Sequence, residues 1–183
     1  MPGDPRDFHR EQEHPWSCIA SCVAILKAWS GPDPAPTEAE LLAGWSDPKT
    51  DLTHLANAGA LRVWDANDLR DLDRLRAALQ DMWLIVTLFP GPLTFFSLAR
   101  QPALISKHGP LVRGDDPRRA LGMPHAVVLV GVLEAGGFCY LDPYFPVKGQ
   151  PLSLTEDELL EAWTGVVVIP TLPAQRVSSI VGV

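Results

Sequence analysis

The chain has 183 residues, of which 46% are apolar and 20% charged, enough to build one domain, 1–183, around a substantial core. Its formal net charge of −7 speaks against nucleic acid or an anionic membrane surface as the main partner, because both select a basic patch. The longest apolar run, Met82 to Phe89, is too short to span a bilayer, and the N-terminus lacks the basic start and apolar core of a secretory signal, so a cytoplasmic protein is expected.

Residues 1–11 are polar and proline-containing, and they are expected to form an arm over the surface. From Cys18 the positions Ile19, Cys22, Val23, Ile25, Leu26 and Trp29 recur with helical spacing, and Gly31-Pro32 stops the run. Thr37 to Glu40 is a capping box that opens a short helix through Leu41, Leu42 and Trp45, and a second short helix is expected over 51–58. Arg62-Val63-Trp64 reads as a weak strand. Asn67 or Asp68 then caps a helix through Leu69, Leu72, Leu75, Ala78 and Leu79, followed by a strand from Trp83 to Phe89.

Residues 90–124 have poor periodicity and two Pro-Gly breaks, which predicts a long insertion loop with one short helix near 95–100. Two strands, 125–133 and 138–142, joined by a turn at 134–137, form a hairpin that brings His125 and Asp142 to the same end of a sheet. Ser153 to Glu158 offers capping boxes for a helix through Leu159, Leu160 and Trp163 that Gly165 ends, and Val166 to Ile169 is a last strand stopped by Pro170. The pattern is α+β, with an N-terminal helical half packed on a C-terminal antiparallel sheet.

The three cysteines, Cys18, Cys22 and Cys139, are too few and too irregular for a disulfide framework and suit a reducing compartment. A thiol at a helix N-terminus meets unpaired N–H groups and the positive end of the helix dipole, and both favour thiolate. Cys18 stands there, whereas Cys22 lies inside the helix and Cys139 alternates away from Tyr140 and Asp142 on its strand, so both read as core. A thiol nucleophile needs a base within hydrogen-bond reach and a third group to orient that base. His125 and Asp142 supply those types, and Gln12, six residues before Cys18, supplies an amide that can join the Cys18 N–H in holding an oxyanion. Cys18 and Cys22 with His14 or His125 match no common zinc spacing, and no metal or organic cofactor is expected. His14, His54 and His108 read as surface residues without partners, and Trp29 and Trp163 as core anchors.

Gln12 and Cys18 on their helix start, then His125-Ala126-Val127-Val128-Leu129, Leu141-Asp142-Pro143 and Trp163-Thr164-Gly165 resemble, in order and spacing, the bacteriocin-processing cysteine peptidases. The resemblance runs from about residue 12 to 169. It implies a papain-like fold that cuts leader peptides after a double glycine, with Cys18 as nucleophile, His125 as general base and acid, Asp142 as orienting residue and Gln12 as oxyanion donor. It also implies a peptide or protein substrate, with an exporter or precursor peptide as partner. Ile19 stands where that family usually has glycine, and 90–124 is longer than its usual link before the histidine. The rival expectations are an isopeptidase, amidase or acyltransferase of the same fold, and a non-catalytic peptide-binding domain.

Overall fold

A computed structural model describes residues 3–31, 34–43, 61–63 (backbone only), 71–88, 106–108 and 125–170. Among these, α1 (Pro5–Phe8), α2 (Cys18–Ser30), α3 (Glu38–Ala43), β1 (Leu61–Val63), α4 (Leu72–Asp81) and β2 (Leu84–Leu88) come first. They are followed by β3 (His125–Val132), β4 (Phe138–Leu141), β5 (Leu152–Leu154), α5 (Glu156–Ala162) and β6 (Trp163–Pro170). The six strands make one antiparallel sheet in the order β1-β6-β2-β3-β4-β5.

Both faces of this sheet are covered. On one, Cys18, Cys22, Val23, Ile25 and Leu26 of α2 share a buried cluster with Ile85, Ala126, Val128, Leu141 and Val168. On the other, Leu75 and Leu79 of α4 and Leu159 and Ala162 of α5 share a cluster with Leu84, Val86, Leu88, Val127, Leu129, Phe138, Tyr140 and Val167. Alternate residues of each strand therefore serve opposite clusters, which is why β2 and β3 read as unbroken apolar runs rather than alternating ones. Each large aliphatic side chain so buried contributes roughly 1.5–3 kcal/mol. The sheet therefore has α2 on one face and α4 and α5 on the other, and takes β1 and β2 from the first half of the chain.

Local signals place most of the elements. Thr37 and Glu40 form the predicted capping box at α3, and Thr155 and Glu158 form one at α5. Gly137 closes the β3–β4 turn with φ near +90°, and a Cβ there would sit 2.4 Å from the Leu154 carbonyl oxygen, so the hairpin register depends on a bare backbone.

Several boundaries differ from expectation. α4 starts at Leu72, capped by Asp71 rather than by Asn67 or Asp68. Trp163 opens β6 instead of closing a helix, and Gly165 lies within that strand at φ 91°. β5 alternates as Leu152-Ser153-Leu154 but carries only three residues, too few to announce a strand. Within the N-terminal segment Phe8 packs edge-on against Trp83 at 5.5 Å, and His9 is buried. The helices expected at 51–58 and 95–100, and His54, lie outside the described residues, as does most of the 90–124 stretch.

Candidate functional site

Cys18 is the first residue of α2. Ser17 occupies the N-cap position but does not cap the helix; its hydroxyl instead exchanges hydrogen bonds with His14, accepting from the His14 N–H and donating to the His14 carbonyl. No acidic side chain lies in the first turn, so the positive end of the dipole at Cys18 is not offset by one. The residue is 1% exposed. It shares its cluster with Ala126 and Leu141, the chain neighbours of His125 and Asp142.

The β3–β4 hairpin brings His125 and Asp142 together as expected. The His125 Nε2 to Asp142 Oδ1 distance is 2.8 Å, with both side chains buried. The same Oδ1 accepts from the Tyr144 N–H at 2.9 Å, and the Tyr144 ring stands edge-on to His125. A neutral His125 that donates from Nε2 to a carboxylate carries its lone pair on Nδ1, the nitrogen that a base requires.

Gln12 is fully buried and fastens two parts of the site to each other. Its backbone N–H donates to the Pro143 carbonyl at 2.8 Å, next to Asp142, and its side-chain Nε2 donates to the His14 carbonyl at 2.6 Å, within the loop that leads into Cys18. That bond orients the amide, since the reverse placement would oppose two oxygens. Nε2 has a second hydrogen, while Oε1 is buried with no hydrogen-bond partner.

The other thiols take different positions. Cys22 is fully buried, and burial pushes its thiol well above the ordinary value, with Cys18 and Asp142 acting in the same direction. Cys139 is half-exposed rather than core, paired on its strand with Gly131 and Ser153, and burial raises its thiol as well. None of the three is joined in a disulfide.

Several residues around this centre carried no sequence signal. His108, expected to lack a partner, bonds the Gln12 carbonyl through Nε2 at 3.0 Å and tilts against Tyr144. Glu38 is buried, and its Oε2 accepts from the Glu13 N–H and from the Ser21 hydroxyl, tying α3 to the loop before Cys18. Gln150 and His9 meet the backbone of Asp142. Gln150 lies eight positions from Asp142 and the other contacts join residues 17 or more apart, so no helix or strand spacing encodes them.

His14 is exposed and stacks on Trp16, as a surface histidine would, and Trp163 is a fully buried anchor. Among the described residues, Glu13, His14 and Glu38 place one ligand atom each within 4.8 Å of one another, a donor set suited to a divalent cation. Neither cysteine nor His125 belongs to it. No helix among the described residues is long and apolar enough to cross a membrane.

No protein-family model matches this chain, and no curated protein matches it at a significant level.

Proposed function

We propose that the protein is a papain-like cysteine hydrolase acting on a peptide bond, with Cys18 as nucleophile, His125 as general base and acid, Asp142 as orienting group and Gln12 as oxyanion donor. The observation that carries this reading is the buried 2.8 Å contact between His125 and Asp142 at the end of the sheet that α2 crosses with Cys18 at its first turn. Asp142 takes Nε2, which leaves Nδ1 to exchange a proton with the thiol. The thiolate attacks the carbonyl carbon, and the C=O electron pair moves onto oxygen, which the Cys18 N–H and the second hydrogen of Gln12 Nε2 stabilise. The C–N bond then breaks, His125 gives its proton to the departing amine, and a water deprotonated by His125 hydrolyses the thioester to restore the thiol. No step needs a redox partner.

The order of the sequence motifs supports a leader-peptide substrate and a precursor peptide or exporter as partner, and three irregularly placed cysteines suit a reducing, cytoplasmic setting. The test is alkylation with iodoacetamide, whose small size suits a thiol that is 1% exposed, at mildly acidic pH. Mass spectrometry locates the label. Cys18 is expected to react first, and His125→Ala is expected to abolish the preference, while Cys22 and Cys139, with raised thiols, stay unlabelled. Equal reaction of the three would refute the nucleophile. Cleavage of a peptide library, compared with Cys18→Ala, reports the substrate; selective labelling without any cleavage would favour an amidase or acyltransferase.

A further inference from the structure

Asp142 is held by more than its own carboxylate. Its backbone N–H donates to Gln150 Oε1 at 2.8 Å, and its carbonyl accepts from Gln150 Nε2 at 2.8 Å, so one side chain bonds both backbone groups of the residue. Gln150 is 4% exposed, on the far side of the loop from β4, and its Nε2 also lies 2.8 Å from His9 Nε2, 3.1 Å from the Phe145 carbonyl and 3.2 Å from that of Pro146. An amide nitrogen has two hydrogens, so the two nearest acceptors, the Asp142 carbonyl and His9, take them. With its proton on Nδ1, His9 accepts from Gln150 at Nε2, which also lies 3.2 Å from the Asp142 carbonyl. Burial, the largest influence on His9, lowers its proton affinity, which suits an acceptor role.

We infer that Gln150 is a positioning residue for the proposed catalytic pair, acting through the Asp142 backbone, with His9 from the N-terminal segment fixing the orientation of the Gln150 amide. A carboxylate only one methylene from its Cα has two side-chain torsions, so it follows the backbone closely. With N–H and C=O of Asp142 both pinned, Oδ1 stays on the His125 Nε2–H and the Tyr144 N–H, and the imidazole keeps a single tautomer. The residues after β4 could not do this by regular pairing, since the strand ends at Leu141 and the amide replaces the missing ladder partner. The inference rests on the reading of Cys18, His125 and Asp142 as a triad.

The test uses the full chain with Gln150→Leu, which keeps the bulk and removes both bonds, and Gln150→Asn, which keeps the amide but falls one methylene short. Leu154→Ala in neighbouring β5 is the stability control. The two readouts are the iodoacetamide rate of Cys18 against pH and the ¹⁵N–¹H signature of the His125 ring. Both Gln150 variants are expected to slow Cys18 labelling by about 10- to 100-fold, in line with an ångström-scale misplacement, and to replace the single Nε2–H tautomer of His125 by a mixture. Leu154→Ala should unfold more easily while leaving tautomer and pH profile unchanged. A folded Gln150 variant whose His125 signature and Cys18 rate stay within about twofold of wild type overturns the inference; so does Leu154→Ala shifting them equally. If wild-type Cys18 itself shows no preferential labelling, the peptidase reading fails separately, and the His125 tautomer still decides the role of Gln150.

Discussion

Replacing Asp142 by Asn and by Ala separates what its oxygen does from what its charge does. Oδ1 accepts from two buried donors, His125 Nε2–H at 2.8 Å and the Tyr144 N–H at 2.9 Å. Asp142→Asn keeps an acceptor of the same size at the same place and removes the charge. Asp142→Ala strands both donors where water does not reach them, since His125 and Tyr144 are 3% and 4% exposed. An orphaned buried donor costs about 1–3 kcal/mol, so two put Asp142→Ala roughly 2–6 kcal/mol below Asp142→Asn in urea unfolding at neutral pH. Wild type need not exceed Asp142→Asn, because a buried carboxylate carries a desolvation cost that the amide lacks. Reactivity should order differently. The amide cannot stabilise the imidazolium that pairs with the thiolate, so Cys18 alkylation should drop in both variants. Equal stability of the two variants would refute the claim that Oδ1 holds both donors. Unchanged Cys18 labelling in Asp142→Asn would refute a role for its charge.

Acid should weaken the fold through His9. Burial holds its folded-state proton affinity below the ordinary value of 6.5, so below that pH the unfolded chain takes up a proton that the native state resists. Stability present at neutral pH is then lost as the pH falls, and the loss should be shallower in His9→Gln; identical slopes in urea titrations between neutral and mildly acidic pH would exclude this contribution. Thr155→Ala removes the hydroxyl that accepts the Glu158 N–H at the start of α5 and should cost about 1 kcal/mol by chemical denaturation, while leaving Cys18 labelling intact because α5 lies on the sheet face opposite α2. A drop in labelling would mean that α5 communicates with the site.

The chain's own pattern determined its short-range features. The apolar repeat after Cys18 marks α2, the Thr37 and Thr155 boxes mark α3 and α5, and the glycines at 136 and 137 mark the turn that brings His125 and Asp142 to one sheet end. These signals are legible because helix periodicity, capping and turn chemistry each act within a few residues. Tertiary structure alone decided that both sheet faces are covered, since a continuous apolar strand and a buried helix segment look alike until the layers assemble. It also turned Trp163 into the first residue of β6, opposite Leu88, where pairing with a neighbouring strand overrides helical propensity. The surroundings of the site belong to the same class: Gln150 bonding Asp142 and meeting His9 across 141 positions, and His108 reaching the Gln12 carbonyl across 96, leave no trace in local spacing. Their energy comes from satisfying buried backbone groups that exist only once the chain has folded.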